Sequence, residues 1–66
     1  MESKEFVVRL KEELKELEYK MNKLQKFMET ENFKKLSDEN QMLLATQFHC
    51  MRSYQYILQR RIKINS

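Results

Sequence analysis

Sixty-six residues, 13 of them Lys or Arg and 10 Asp or Glu, make one domain at most, with a formal charge of +3. So short a chain buries too little apolar surface to be comfortably stable alone. One cysteine, Cys50, excludes an internal disulfide, and one Cys with one His falls short of a structural zinc site, so subunit association is the remaining staple. Gly and Pro are absent, which removes most β architectures and every Gly-rich phosphate loop, because such turns and loops depend on those residues.

Helix one is expected over about residues 3 to 29. Val7, Leu10, Leu14, Leu17, Met21, Leu24 and Met28 alternate steps of three and four, a heptad that keeps one apolar seam on one side of a helix. Tyr19 falls off this seam. Charges of both signs fill the outer face, where Glu16 supports Lys20 at i+4 and Lys11 repels Lys15.

The heptad fails over about residues 30 to 37, where Phe33 and Leu36 sit among polar residues and are expected to tuck into a short closing turn. Ser37 is a good N-cap, and Asp38 and Glu39 follow where acidic side chains suit the helix dipole. Helix two is then expected over about residues 38 to 63. Its stripe is wider, with two adjacent apolar rows: Leu43, Leu44, Phe48, Met51, Tyr54, Ile57, Leu58 and Ile62, flanked by Cys50. A connection of roughly seven residues suits antiparallel neighbours. The fold class is therefore all-α, an antiparallel, coiled-coil-like two-helix hairpin. One hairpin leaves part of helix two uncovered, and that surplus points to a homo-oligomeric helical bundle.

No run approaches the about 18 apolar residues of a membrane span, and the first five residues lack the basic and apolar regions of a signal peptide. With a free thiol, this fits a cytoplasmic protein without a membrane partner.

The positive charge is local. Residues 1–29 carry seven basic and seven acidic side chains, and residues 30–45 carry two and three. Residues 46–66 carry Arg52, Arg60, Arg61 and Lys63 and no acid at all. Three readings compete: cations complementing the helix C-terminus, pairs with Glu2, Glu5, Glu12 or Glu13 of the antiparallel helix, or a phosphate site built on the planar donor fork of Arg. Tyr54 and Tyr56 stand within two turns of these arginines, and a tyrosine face stacks a base while an arginine holds its phosphate. Tyr54 also lies on the apolar stripe, so a core or interface role competes there. Four cations without a helix-turn-helix or a basic region feeding the heptads make DNA binding only a weak expectation.

Catalytic chemistry is not expected. His49 and Cys50 are adjacent and point about 100° apart on a helix, so they cannot pair as base and nucleophile within one chain. The carboxylates of helix one interleave with lysines on a solvated face, which argues against acid–base work. No metal or cofactor is implied.

Several runs carry a resemblance: Arg9 to Leu17, Met21, Lys23 to Met28, Phe33 to Ser37, and Leu43-Leu44. It continues through Gln47, Met51, Tyr54, Ile57-Leu58 and Arg61-Ile62. The Phe-x-x-Leu-Ser turn before a Gln-x-x-x-Met-x-x-Tyr-x-x-Ile-Leu-x-x-Arg-Ile helix is its specific part. Over nearly its full length the chain resembles a family of small phage proteins first named from a crAss-like phage. In size and hairpin design it is similar to the anti-CBASS and anti-Thoeris sponge proteins of phages, small helical oligomers that bind cyclic nucleotide signals without cleaving them. The resemblance implies pockets between protomers in the host cytoplasm, with tyrosine on a base and Lys or Arg on phosphate. Residues of the right type are Arg52, Tyr54, Tyr56, Arg60, Arg61 and, from helix one, Lys23 and Lys26. A helical adaptor that inhibits a host protein is the alternative.

Overall fold

The computed structural model describes residues 4–66, and the expected helix start at residue 3 falls outside them. The described residues form α1 (Lys4–Met28), the single-turn α2 (Glu31–Lys34) and α3 (Asp38–Asn65), with no strand among them. The molecule is all-helical and rod-shaped, measuring 50 × 15 × 11 Å.

With no Gly or Pro, the chain must break its helices by other means. No described residue has a positive φ, so the left-handed glycine cap that ends many helices is not used. Hydroxyl groups punctuate instead. Past Met28 the backbone tightens into i→i+3 bonds, Glu29 N–H to Lys26 carbonyl and Thr30 N–H to Phe27 carbonyl. The Thr30 hydroxyl donates to the Phe27 carbonyl and accepts from the Phe33 N–H, closing one helix and opening α2. Ser37 repeats the device for α3, its Oγ accepting from the Asn40 N–H at 3.2 Å. Each such cap satisfies a backbone donor with no partner inside the helix.

The turn expected around Phe33 and Leu36 thus contains a full helical turn. Phe33 packs edge-on against Phe27, with ring centroids 6.1 Å apart. The Gln41 amide donates to the carbonyls of Lys34 and Leu36, tying α3 to the end of α2. At the far end of α3 the Asn65 and Ser66 side chains donate to the Arg61 and Ile62 carbonyls in the last turn of the helix.

Contacts between α1 and α3 run in opposite order along the two helices. The Arg61 guanidinium lies over the Phe6 ring, and seven residues back along α3 the Tyr54 hydroxyl donates to the Glu13 carboxylate. Gln55 donates to Glu18 at 2.9 Å. The inward row of α3 includes Leu44, Phe48, Met51, Leu58 and Ile62, all buried or half-buried, and Gln41 and Gln55 occupy further positions of the same repeat. Leu10, Met21 and Leu58 are the buried apolar residues among those described, and Leu58 is fully enclosed. The second apolar row of α3 is left outside: Leu43, Cys50, Tyr54 and Ile57 are all exposed. The wide stripe therefore splits, one row packing and one facing solvent.

Candidate functional site

The acid-free half of α3 is one regular helix, so its side chains are placed by the 3.6-residue turn. On that geometry the candidate residues do not form a single cluster. Arg52 and Tyr56, four apart, share a shallow, open groove of about 530 Å³ with His49, Ser53 and Ile57. The groove runs along one face of α3 and contains no carboxylate. Its hydroxyls, imidazole and guanidinium can all donate to a phosphate oxygen, and its tyrosine ring offers a stacking face.

Tyr54 and Arg61 are directed elsewhere. Tyr54 is pinned by Glu13, and the Arg61 guanidinium carbon lies 5.5 Å from the Phe6 ring centroid. Of the glutamates considered as partners for the arginines, Glu5 pairs with Arg9 at 3.3 Å within α1, and Glu13 takes the tyrosine. Glu12 lines a groove on the outside of α1, and Glu2 lies outside the described residues. No ion pair joins Arg52, Arg60, Arg61 or Lys63 to a described residue. Their charge is not neutralised from within the described chain.

Lys23 and Lys26 sit on the exposed face of α1, with the Lys23 ammonium 5.3 Å from the Tyr19 ring centroid. Helical spacing turns both away from the Leu10–Met21 seam, so one chain does not bring them to the α3 groove. The α1 groove beside them, lined by Glu12, Lys15, Glu16, Tyr19 and Lys20, is larger at about 820 Å³. Two carboxylates in that lining oppose an anion, so the smaller α3 groove is the better candidate. His49 and Ser53 were not singled out from the sequence as site residues. Their spacing with Arg52 and Tyr56 acquires meaning once this face of α3 is known to be free. Among the described residues no group of three His, Cys, Asp or Glu side chains can hold a metal, and no helix is long and apolar enough to cross a membrane.

Comparison with known proteins gives a consistent picture. The chain is 42% identical over 57 residues to an enterobacteria phage T4 protein, described as an uncharacterized 7.5 kDa protein in the denB-rIIB intergenic region. The match covers 86% of this chain and 89% of the phage protein. No solved structure gives a significant match. A family model named Sequestin matches residues 4–64, taking in both long helices and the turn between them. This is a small phage protein with an all-helical fold, and it belongs to the Sequestin family.

Proposed function

We propose that this chain is a phage counter-defence sponge. It folds as a two-helix hairpin, self-associates, and sequesters a cyclic nucleotide or cyclic ADP-ribose-type immune signal at subunit interfaces in the host cytoplasm. No bond is made or broken, so inhibition follows from affinity and abundance. The observation that carries this reading is the acid-free half of α3, where Arg52 and Tyr56 share a groove with His49 and Ser53. A guanidinium with no carboxylate partner beside an aromatic face is the chemistry of a phosphorylated base. The family's name supports it, since it speaks of sequestration.

Native mass spectrometry with cyclic dinucleotides, cyclic trinucleotides and cyclic ADP-ribose species tests the proposal. The expected result is an oligomer that gains a stoichiometric nucleotide mass and releases the nucleotide unchanged on denaturation. An oligomer that gains none of these masses overturns it. The exposed row on α3 then favours the second reading, an adaptor that inhibits a host protein.

A further inference from the structure

α3 carries a second heptad row whose aliphatic positions its own chain leaves exposed. From Leu43 to Ile64 the positions step by four and three, through Gln47, Cys50, Tyr54, Ile57 and Arg61. Leu43 is 55% exposed, Ile57 48% and Ile64 69%. Within this row Tyr54 donates to Glu13 and Arg61 lies over Phe6, both on α1, while Leu43, Cys50, Ile57 and Ile64 stay exposed. An apolar a/d repeat presented to water is the signature of a helix awaiting a helical partner.

The order of the row says which partner. Read outwards from Tyr54 it is palindromic in polarity: Cys50 mirrors Ile57, Gln47 mirrors Arg61, and Leu43 mirrors Ile64. We infer that two copies of this chain pack α3 against α3 in antiparallel sense, across a two-fold axis at Tyr54. Apolar positions then meet apolar positions. The two polar positions also meet, and the Gln47 carbonyl accepts from the Arg61 guanidinium of the second copy. A parallel pair instead sets Arg61 against Arg61 and Gln47 against Gln47. The ends of the helix agree. Asp38 and Glu39 open α3, and Arg60, Arg61 and Lys63 close it. The antiparallel pair turns acidic ends towards basic ends and opposes the helix dipoles, whereas the parallel pair stacks like charges. A symmetric partner needs such a self-complementary patch, and few surfaces have one by accident. The thin core of the single chain, with three buried apolar residues among those described, supplies the thermodynamic reason for the pairing.

This inference shares self-association with the proposed function but not the ligand, and its test uses the full chain without nucleotide. Sedimentation equilibrium should give an associated species. Ile57→Glu places a charge at a position that the single chain leaves exposed, and should weaken association at least about 100-fold with helicity retained. Gln47→Glu sets a carboxylate opposite Arg61 and should strengthen association; in a parallel pair it sets carboxylate against carboxylate and weakens it. Cross-linking reads the register independently. With the axis at Tyr54, the two Cys50 residues lie about 12 Å apart along the helices, too far for a disulfide. Mild oxidation should therefore leave the native chain uncross-linked, and should cross-link Tyr54→Cys in a Cys50→Ser background. A monomeric native chain, an Ile57→Glu variant that associates unchanged, weakening by Gln47→Glu, or a native Cys50 cross-link each overturns the inference. A monomeric chain also removes the self-association on which the proposed function rests, whereas under the other outcomes nucleotide binding, read separately, can succeed or fail.

Discussion

The hydroxyl of Tyr54 donates to the carboxylate of Glu13, joining residues 41 positions apart across the two long helices. The bond holds the ring of an exposed aromatic residue in one orientation and fixes the alignment of α3 on α1. Tyr54→Phe keeps the ring and removes the bond. At fixed protein concentration its urea midpoint should correspond to a loss of about 1 kcal/mol. Glu13→Gln retains an acceptor and should lose less. A loss in the double variant no greater than that of Tyr54→Phe alone would identify this bond as their common cause.

Leu58 is fully buried, and its neighbour in sequence Ile57 is not. Leu58→Ala leaves a cavity in the small core and should cost about 2–5 kcal/mol, enough to abolish the far-ultraviolet helical signal of so small a chain. Ile57→Ala should leave that signal intact. Similar losses in both variants would mean that the two apolar rows of α3 are not divided as described.

The helix breaks rest on Thr30 and Ser37. Ser37→Ala removes the cap that starts the longest helix and should destabilise the chain by about 1 kcal/mol, with faster amide exchange at Asn40. Thr30→Ala should have a smaller effect, because α2 is a single turn. Ser37→Asn should restore most of what alanine removes.

Gln55 occupies a position of the inward repeat of α3 where apolar residues otherwise recur, and it donates to Glu18. Gln55→Leu extends the apolar seam and should raise the thermal midpoint by an amount equivalent to about 1 kcal/mol. A lowered midpoint would show that the hydrogen bond to Glu18 holds the helix alignment more strongly than apolar contact can.

For ligand binding, the groove ranks the candidates. Arg52→Ala and Tyr56→Ala should each weaken nucleotide binding by about tenfold or more, read by calorimetry. Lys23→Ala and Lys26→Ala, on the outer face of α1, should change it less. Equal effects from both pairs would place α1 of one chain against α3 of another in the binding site.

Much of the fold was written in the sequence, because a heptad of Leu and Met on a chain without Gly or Pro has few alternatives. The seam from Val7 to Met28 and the cap at Ser37 read directly. The division of α3 did not. Leu43 and Leu44 are adjacent and identical, and composition cannot say which of them faces α1. Gln41 and Gln55 hid the inward row further, since a count of apolar residues passes over them. The site was legible as a region of charge but not as a surface. Arg52 and Tyr56 share a groove, while Tyr54 and Arg61 turn towards Glu13 and Phe6. The choice of Glu13 among the nearby glutamates depends on the longitudinal offset of the helices, which periodicity leaves free.

The sparse core has a practical consequence. A chain whose described residues bury only Leu10, Met21 and Leu58 as apolar core has little intrinsic stability against which a binding event must be detected. A ligand held only by the folded form, at 100 times its Kd, adds about 2.7 kcal/mol. In a domain of this size that moves the melting temperature on the order of 20 °C. The molecule is thus its own reporter: a crude nucleotide extract can be fractionated by following which fraction delays the loss of helix on heating, before the chemical identity of the active compound is known.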